Sequence, residues 1–532
     1  MTFSPQHPLA PSGVETAVPS LQRARAREWV ALAVLMLPVL LVAVDNTVLS
    51  FALPAISRDL APSGTTLLWI IDSYPLVLAG LLVAMGSFGD RFGRRRLLMI
   101  GAGGFALFSI AAAFAPTAGF LVACRVGLGV FGAMLMPSTL SLIRNIFSDR
   151  DQRRLAIAVW AAGFSAGAAL GPLLGGVLLE HFWWGSVFLL AVPVLVLMLG
   201  LTPAFVPESR DPRPGRVDYP SIVLSIITML PVVFAIKNLA KDGPALVTVT
   251  AVVLGLAAGS VFVVRQLRRP DPMLDVRLFT VRAFTGAVLV NLLAIFALVG
   301  FLFFVSQHLQ LVLGLSPLDA GMILLPGLGM TIVAGLGVVP VVKRVPPHIV
   351  VPVALLFSAA AYSFLALQGL LADQGSSAIQ LLGAFVLLGI GVGASETVSN
   401  DLILSTVPAA KAGSASAVSE TAYEVGSVFG TAILGSILLS SYQGNLSLPE
   451  ALTPEQAGAS TETLGGAVAT AAELPTASAS ALLDSAFHAF DSGVTLTSGI
   501  AALLMVAAAV LARWSLKPGA RNTGGRGGRG AS

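Results

Sequence analysis

The chain has 532 residues, 56% of them hydrophobic and 11% charged, with a mean hydropathy of +0.88. A soluble domain carries about 25% charged residues, so composition excludes a soluble protein and points to a polytopic membrane protein. A net charge of +4 held in short loops argues against nucleic-acid binding, and the single cysteine, Cys124, excludes a disulfide framework.

Residues 1–28 are polar, contain proline and show no cleavable signal peptide, so they are read as a cytoplasmic tail. At about 20 apolar residues per crossing, fourteen spans follow: 29–55, 67–88, 97–115, 118–146, 155–178, 186–205, 219–239, 245–265, 285–311, 319–342, 349–371, 379–406, 414–439 and 493–513. The expected fold is therefore an all-α integral membrane protein. Loop charges test the count. Basic residues recur in alternate connections: Arg23, Arg25 and Arg27; Arg91 to Arg96; Arg150, Arg153 and Arg154; Arg210, Arg213 and Arg216; Arg268, Arg269, Arg277 and Arg282; Lys343 and Arg344; Lys411. The intervening loops hold only Arg58, Lys237 and Lys241. This alternation places both termini in the cytoplasm. Arginine in excess of lysine, with abundant alanine and glycine, fits a GC-rich bacterial genome and hence a multi-pass protein of the bacterial plasma (inner) membrane.

Internal repetition is weak. Gly335-Leu336-Gly337 followed by Lys343-Arg344 reads as a worn copy of Gly86–Arg96. On that basis 29–205 and 285–513 form two six-helix bundles, and 206–284 is a linker carrying two inserted helices. Residues 442–492 have no Lys or Arg and six carboxylates, which phase places outside. They suit a solvated linker or a surface helix over Leu482–Phe490. The Gly/Arg-rich tail, 514–532, is expected to be disordered.

The connection Gly86-Ser87-Phe88-Gly89-Asp90-Arg91-Phe92-Gly93-Arg94-Arg95-Arg96 puts four arginines beside one carboxylate between two apolar runs. Its glycines permit a turn and close helix approach, and Asp90 is suited to latching helices in one conformation. Gly163, Gly167, Gly171-Pro172 and Gly175-Gly176 lie along span 5, giving a close-packing seam with a proline bend.

Charge within hydrocarbon is costly, so each such residue is a functional candidate. The set is Asp45, Asp72, Arg125, Glu396, Asp401, Glu420 and Glu424, six acids and one base. A net negative interior favours cations and protons. Glu420 and Glu424 lie one turn apart on one face, where two carboxylates disfavour double ionisation, a basis for proton–cation exchange. Asp72, near Trp69 and Tyr74, suits an outer rim of the pathway or an interfacial position. Arg125, the one base deep in a span, must pair with acids or carbonyls. Phe301 and Phe304 offer aromatic faces to an organic cation, or face lipid. There is no Walker loop, metal-ligand spacing or nucleophile–base signature, so the chain reads as no enzyme, with no cofactor and no metal, driven by an ion gradient.

The Gly86–Arg96 loop resembles the signature between spans 2 and 3 of the major facilitator superfamily. Gly167-xxx-Gly171-Pro172-xx-Gly175-Gly176 is similar to the antiporter motif of its drug exporters. Asp45-Asn46-Thr47 through Pro54, Trp69-Ile70-Ile71-Asp72-Ser73-Tyr74, and Ala415 to Thr421 resemble the fourteen-span drug:proton antiporters, over nearly the whole chain. The resemblance implies the major facilitator fold, alternating access, and export of lipophilic cations such as quaternary ammoniums, ethidium and acriflavine, together with fluoroquinolones, in exchange for protons by a monomer. It implies a protonation or substrate role for Asp45, coupling or cation recognition for Asp72, Glu420 and Glu424, and membership of Arg125 in the span 4 proton-relay motif. Phe88 stands where leucine is usual, Leu128 where glutamine often follows Arg125, and Glu424 where some relatives have aspartate. Three other readings stay open: an exporter dedicated to an endogenous metabolite, antibiotic or lipid; proton-coupled uptake; and a non-transporting scaffold or sensor.

Overall fold

A computed structural model describes residues 24–147, 149–210, 218–242, 245–270, 272–371, 376–407, 412–450 and 452–517. The expectations for residues 1–23, for the tail after 517, and for Arg213, Arg216 and Lys411 lie outside the described residues. Among the described residues there is no strand, and fourteen helices are long and apolar enough to cross a membrane. They are α1 (Ala26–Leu60), α2 (Gly64–Phe92), α3 (Arg94–Ala113), α4 (Ala118–Ile146), α5 (Arg150–His181), α6 (Ser186–Phe205), α7 (Tyr219–Asp242), α8 (Leu246–Arg268), α9 (Arg282–Val312), α10 (Pro317–Val342), α11 (Pro347–Leu371), α12 (Ala378–Ser405), α13 (Ala415–Asn445) and, after two short helices, α16 (Thr476–Ser515). Each contains or overlaps a span expected from hydropathy, although α16 begins at Thr476, well ahead of the expected 493–513.

Polar caps set several of the starts. Ser63 accepts from the Thr66 amide at 3.2 Å, Thr117 from the Phe120 amide at 3.2 Å, and Ser316 from the Asp319 amide at 3.1 Å. α1, α2, α4, α5 and α10 each continue through internal prolines rather than ending at them.

Two halves share one packing scheme. In the first, α1 lies against α5, and α2 and α3 against α4. In the second, α9 lies against α13, and α10 and α11 against α12, with α16 completing the bundle on α11. The halves meet through α2 against α13 and α5 against α10, the pairing a pseudo-two-fold relation requires.

α7 and α8 form a hairpin that packs on α2 and on the far part of α13. Its outward side exposes Leu246, Val247, Val253, Leu254, Leu256 and Val261, which suits a face bathed in lipid. At its base Asp218 accepts from Arg265 at 2.8 Å, pairs with Arg269 at 2.9 Å and accepts from the Ser221 hydroxyl. Burial pushes the Asp218 carboxyl up. The Arg265 and Ser221 hydrogen bonds and the Arg269 charge outweigh that, leaving it below the usual carboxylate range.

The segment 442–492 departs from a solvated linker. It holds α14 (Pro454–Glu462), α15 (Leu464–Ala471) and the first turns of α16. Leu464, Ala467, Leu482 and Phe490 are buried, and Tyr442 donates to the Ser460 carbonyl at 2.8 Å. Alanine, small hydroxyl residues and scattered leucines give an uncharged amphipathic surface that packs on the ends of the bundle instead of lying on the bilayer.

Candidate functional site

The centre of the molecule is built on α1, α2 and α4. Arg125 on α4 is 2% exposed. Its Nη1 donates to Asp45 Oδ2 at 2.7 Å, its Nε donates to the Ile70 carbonyl at 3.1 Å, and its guanidinium lies 4.6 Å from the Tyr74 ring centroid. The expected partner of Arg125 is therefore Asp45, eighty positions away, and Tyr74 serves the arginine rather than an outer rim. A fully desolvated pair needs such additional contacts to offset the loss of hydration.

The second half supplies α13. Glu424 is buried, and the Asn46 side chain of α1 reaches its carboxyl. Its Oε2 has no hydrogen-bond partner among the described residues. Asp45, Arg125 and Glu420 all lie within electrostatic range of it. Asp45 and Glu424 thus belong to one cluster of charges that spans the two halves, linked through Asn46. Tyr423, the neighbour of Glu424, makes an edge contact with Phe164 of α5, ring centroids 5.5 Å apart, which closes the interface laterally. Toward the end where α1 begins and α16 stops the surroundings become wetter. Glu396 and Glu420 are partly exposed, and Asp401 and Arg144 are exposed.

Asp72 corrects the expectation of a rim or interfacial residue. It is fully buried and pairs at 2.8 Å with Lys237 of α7, itself 1% exposed. The Lys237 ammonium sits 3.9 Å from the Trp69 ring centroid. Lys237 was expected in an outer loop; it lies inside a helix, so Arg125 is not the one base in the spans. Trp69 and Asp72, three positions apart, share a face of α2.

Phe301 and Phe304 are also reassigned. Both are buried within the second half, where Phe301 stacks on Phe385 at 5.2 Å and meets Tyr362 edge-on at 6.0 Å. Their rings lie in core packing, with Phe304 against Phe301 at 5.1 Å.

At the end away from the termini the halves are sealed together. Ser306 donates to the Ser50 carbonyl at 2.8 Å and Gln310 to the Phe51 carbonyl at 3.2 Å. Ser57 and Thr463 share a hydrogen bond at 2.9 Å, and Glu462 accepts from the Gly64 amide at 2.8 Å. His308, buried behind this seal, is paired with Asp491 at 3.1 Å.

The span 5 glycines divide by face. A Cβ on Gly167 would meet the Leu40 carbonyl at 2.7 Å and one on Gly175 would meet Val48 at 2.8 Å, while Gly171 faces Thr47; all three allow α5 to touch α1. Gly176 looks the other way, where a Cβ would meet Leu318 Cα at 2.8 Å, and a Cβ on Gly321 would meet the Pro172 carbonyl at 2.6 Å. That second face is the contact between the halves.

In the Gly86–Arg96 loop, Gly93 alone has the conformation that demands glycine, with φ +110°. A Cβ on Gly86 or Gly89 would find only ordinary contacts, so the expected close approach there does not occur. Asp90 accepts from Arg94 at 2.7 Å. The Arg94 amide donates to the Ser209 carbonyl at 2.9 Å, the Arg95 amide to Glu208 at 3.0 Å, and Arg95 Nη1 to the Val206 carbonyl at 3.2 Å. Arg91 is exposed. In this conformation the loop is fastened to the end of α6, within its own half.

Lys237, Asn46, Glu208 and Tyr423 were missed. Lys237 had a signal, a lysine still inside an apolar run facing an aromatic–acid pair in span 2. Glu208 had one too, a carboxylate directly before a basic connection.

A family model described as Major Facilitator Superfamily matches residues 35–431. The chain is 58% identical over 493 residues to the multidrug efflux pump LfrA of Mycolicibacterium smegmatis, covering 93% of this chain and 97% of that one. It is 39% identical over 484 residues to the methyl viologen resistance protein SmvA of Salmonella typhimurium, covering 90% and 97%. It is 34% identical over 504 residues to the tetracenomycin C resistance and export protein of Streptomyces glaucescens, covering 93% and 92%. Among solved structures it resembles an inward-facing, unoccupied bacterial homologue of the human lysosomal transporter Spinster, with TM-score 0.64 at 17% identity over 93% of this chain and 98% of that one. With fourteen spans, a repeated six-helix plan and these relatives, the chain belongs to the Major Facilitator Superfamily and is a membrane transporter, not an enzyme.

Proposed function

We propose that the chain is a proton-coupled multidrug exporter of lipophilic organic cations in the bacterial plasma membrane, with both termini in the cytoplasm. The single observation that carries this reading is Glu424, a buried carboxylate with a free oxygen, in the same charge cluster as the Arg125-paired Asp45 of the other half. One half brings a neutralised acid and the other an acid free to take a proton or a cation. The relatives support the direction, since they are named as an efflux pump, a resistance protein, and a resistance and export protein. The arginine-rich connections at the end carrying the termini support the orientation.

With the outer end sealed, a cation arrives from the cytoplasm along the partly exposed Glu420 and Glu396. It binds at Glu424 and a proton leaves inward. Rocking about the α5–α10 and α2–α13 contacts turns the site outward, where a proton from outside displaces the cation. Each cycle exchanges one proton inward for one cation outward, so with a singly charged substrate no net charge crosses and the pH gradient supplies the drive. Quaternary ammoniums, ethidium and acriflavine have the apolar bulk and single charge such a site suits. The test is ethidium retention in energised cells. Expression should lower retention, an uncoupler should restore it, and Glu424→Gln should match the empty vector. Unchanged retention across a panel of ethidium, acriflavine and quaternary ammoniums would move the reading to a dedicated exporter.

A further inference from the structure

The end of the inserted hairpin that carries Asp218 holds more arginines than its carboxylates engage. Five arginines fall from Arg265 to Arg282. Arg265 and Arg269 are held by Asp218 at 2.8 and 2.9 Å. Among the described residues no carboxylate pairs with the other three, Arg268, Arg277 and Arg282, and all three are exposed. Like charges fixed side by side on a fold repel one another, so the arrangement favours an anion that the chain does not itself supply.

The three lie along one strip. Arg277 belongs to the 3-10 turn Val276–Thr280 that links α8 to α9, and its Nη2 donates to the Leu267 carbonyl at 3.1 Å, which sets it beside Arg268 at the end of α8. Arg282 begins α9, and its guanidinium lies 4.9 Å from the ring centroid of Trp514 at the end of α16. Stacking takes the guanidinium face and leaves its N–H edge to fork onto a phosphate. Trp514 is 60% exposed. Between the arginines Phe279 and Val281 are exposed, and Val264, Leu267 and Val510 continue the exposed apolar surface along α8 and α16. Arginines at a membrane–water boundary, an interfacial indole and an apolar wall running into the bilayer match a phospholipid, headgroup and acyl chain together; a soluble phosphate would use the arginines alone.

We propose that Arg268, Arg277 and Arg282, with Trp514, bind the headgroup of an anionic phospholipid in the cytoplasmic leaflet, which ties the inserted hairpin to the second six-helix half. The leaflet follows from the orientation proposed above; the site does not depend on it. The arginines stand on α8, the 3-10 turn and α9, and the indole on α16, so one headgroup spans the junction between hairpin and bundle. A 3-10 turn advances about 2 Å per residue, which places Arg277 and Arg282 within about 10 Å of each other, a span suited to a headgroup with two phosphates such as cardiolipin. The lipid is a structural ligand of the hairpin, and a membrane without anionic phospholipid leaves the arginines at this junction unopposed.

The test is native mass spectrometry of the purified full chain in detergent, titrated with cardiolipin and, separately, with phosphatidylethanolamine. Wild type should prefer cardiolipin by about a hundredfold. Arg268→Gln, Arg277→Gln and Arg282→Gln should each lower that preference about fivefold, and the triple variant should abolish it. Lys343→Gln/Arg344→Gln removes an exposed basic pair at the end of α10 and should leave the preference unchanged. Equal binding of the two lipids by wild type, a preference that survives the triple variant, or an equal loss in the Lys343/Arg344 variant would overturn the proposal, the last because any basic connection would then serve. Pyrophosphate at millimolar concentration should not compete; competition would assign the arginines to a soluble phosphate compound instead. An independent readout uses the wild-type chain, so the result does not depend on a variant folding. Modification of Arg282 by phenylglyoxal, followed by mass spectrometry, should slow about fivefold in cardiolipin-containing nanodiscs relative to phosphatidylcholine nanodiscs, with Arg344 unaffected, and an unchanged rate at Arg282 would reject the site. Neither measurement involves export, so failure here counts against this proposal alone.

Discussion

Replacing Arg125 by leucine should destabilise the chain mainly through what it leaves behind. The substitution strips Asp45 of its partner at 2.7 Å while that carboxylate stays 9% exposed. Unit charges about 4 Å apart attract by about 4 kcal/mol at an effective dielectric near 20, and removing one member of a buried pair costs about 3–5 kcal/mol. The hydrogen bond to Ile70 and the Tyr74 contact are lost as well. Asp45→Asn/Arg125→Leu removes both charges, so the double variant should recover about 2–3 kcal/mol of coupling. Arg125→Lys keeps the charge but loses the forked geometry, and should fall between wild type and leucine. Melting in detergent–lipid micelles, followed by intrinsic fluorescence, reads the order: wild type, then Arg125→Lys and the double variant, then Arg125→Leu lowest. A double variant that melts at or below Arg125→Leu would refute the reasoning, because the Asp45 charge would then not be the source of the loss.

Gly93→Ala should cost about 1–3 kcal/mol through backbone strain at φ +110°. Its Cβ would also meet the Glu208 carboxyl at 2.9 Å, but Glu208→Ala should not rescue it; rescue in a melting assay would assign the defect to the clash instead. Gly176→Val cannot fit against Leu318 Cα at 2.8 Å, so it should penalise the sealed outer end by about 1–3 kcal/mol. An impermeant maleimide added outside should then label Ser57→Cys about tenfold faster than in the Gly176 background, with equal rates contradicting the seal. Asp218→Asn should loosen the α7–α8 hairpin. Because the folded carboxyl titrates below its unfolded value, its contribution is present at neutral pH and is lost as pH falls through the folded value. Acid should therefore lower the wild-type melting temperature more than that of Asp218→Asn, and parallel acid curves would contradict that linkage.

Hydropathy and arginine phase made the fourteen spans legible, because both are local properties of the chain. The site was legible as a set of costly residues but not as pairs. Nothing near Asp45 in sequence announces Arg125, and the pairing depends on α1 and α4 packing side by side. Lys237 was misplaced because it lies near the end of its span, where a loop lysine and a buried one read alike; only contact with α2 separates them. Phe301 and Phe304 illustrate the reverse error. An aromatic cluster in a span reads as a cation-binding face until tertiary packing shows Phe301 stacked on Phe385 and edge-on to Tyr362, with Phe304 against Phe301. The segment 442–492 was opaque because alanine and threonine signal neither core nor surface, and its leucines find their partners only on the bundle ends.

The most direct test of the central claim is proton release from acidified inverted membrane vesicles on addition of ethidium, for wild type, Asp45→Asn and Glu424→Gln. The account predicts substrate-triggered release in wild type and its loss in Glu424→Gln, with Asp45→Asn also impaired because Arg125 is left without its counter-ion. Release that persists undiminished in Glu424→Gln would contradict the assignment of the exchanging carboxylate and, with it, the mechanism built on the seam between the halves.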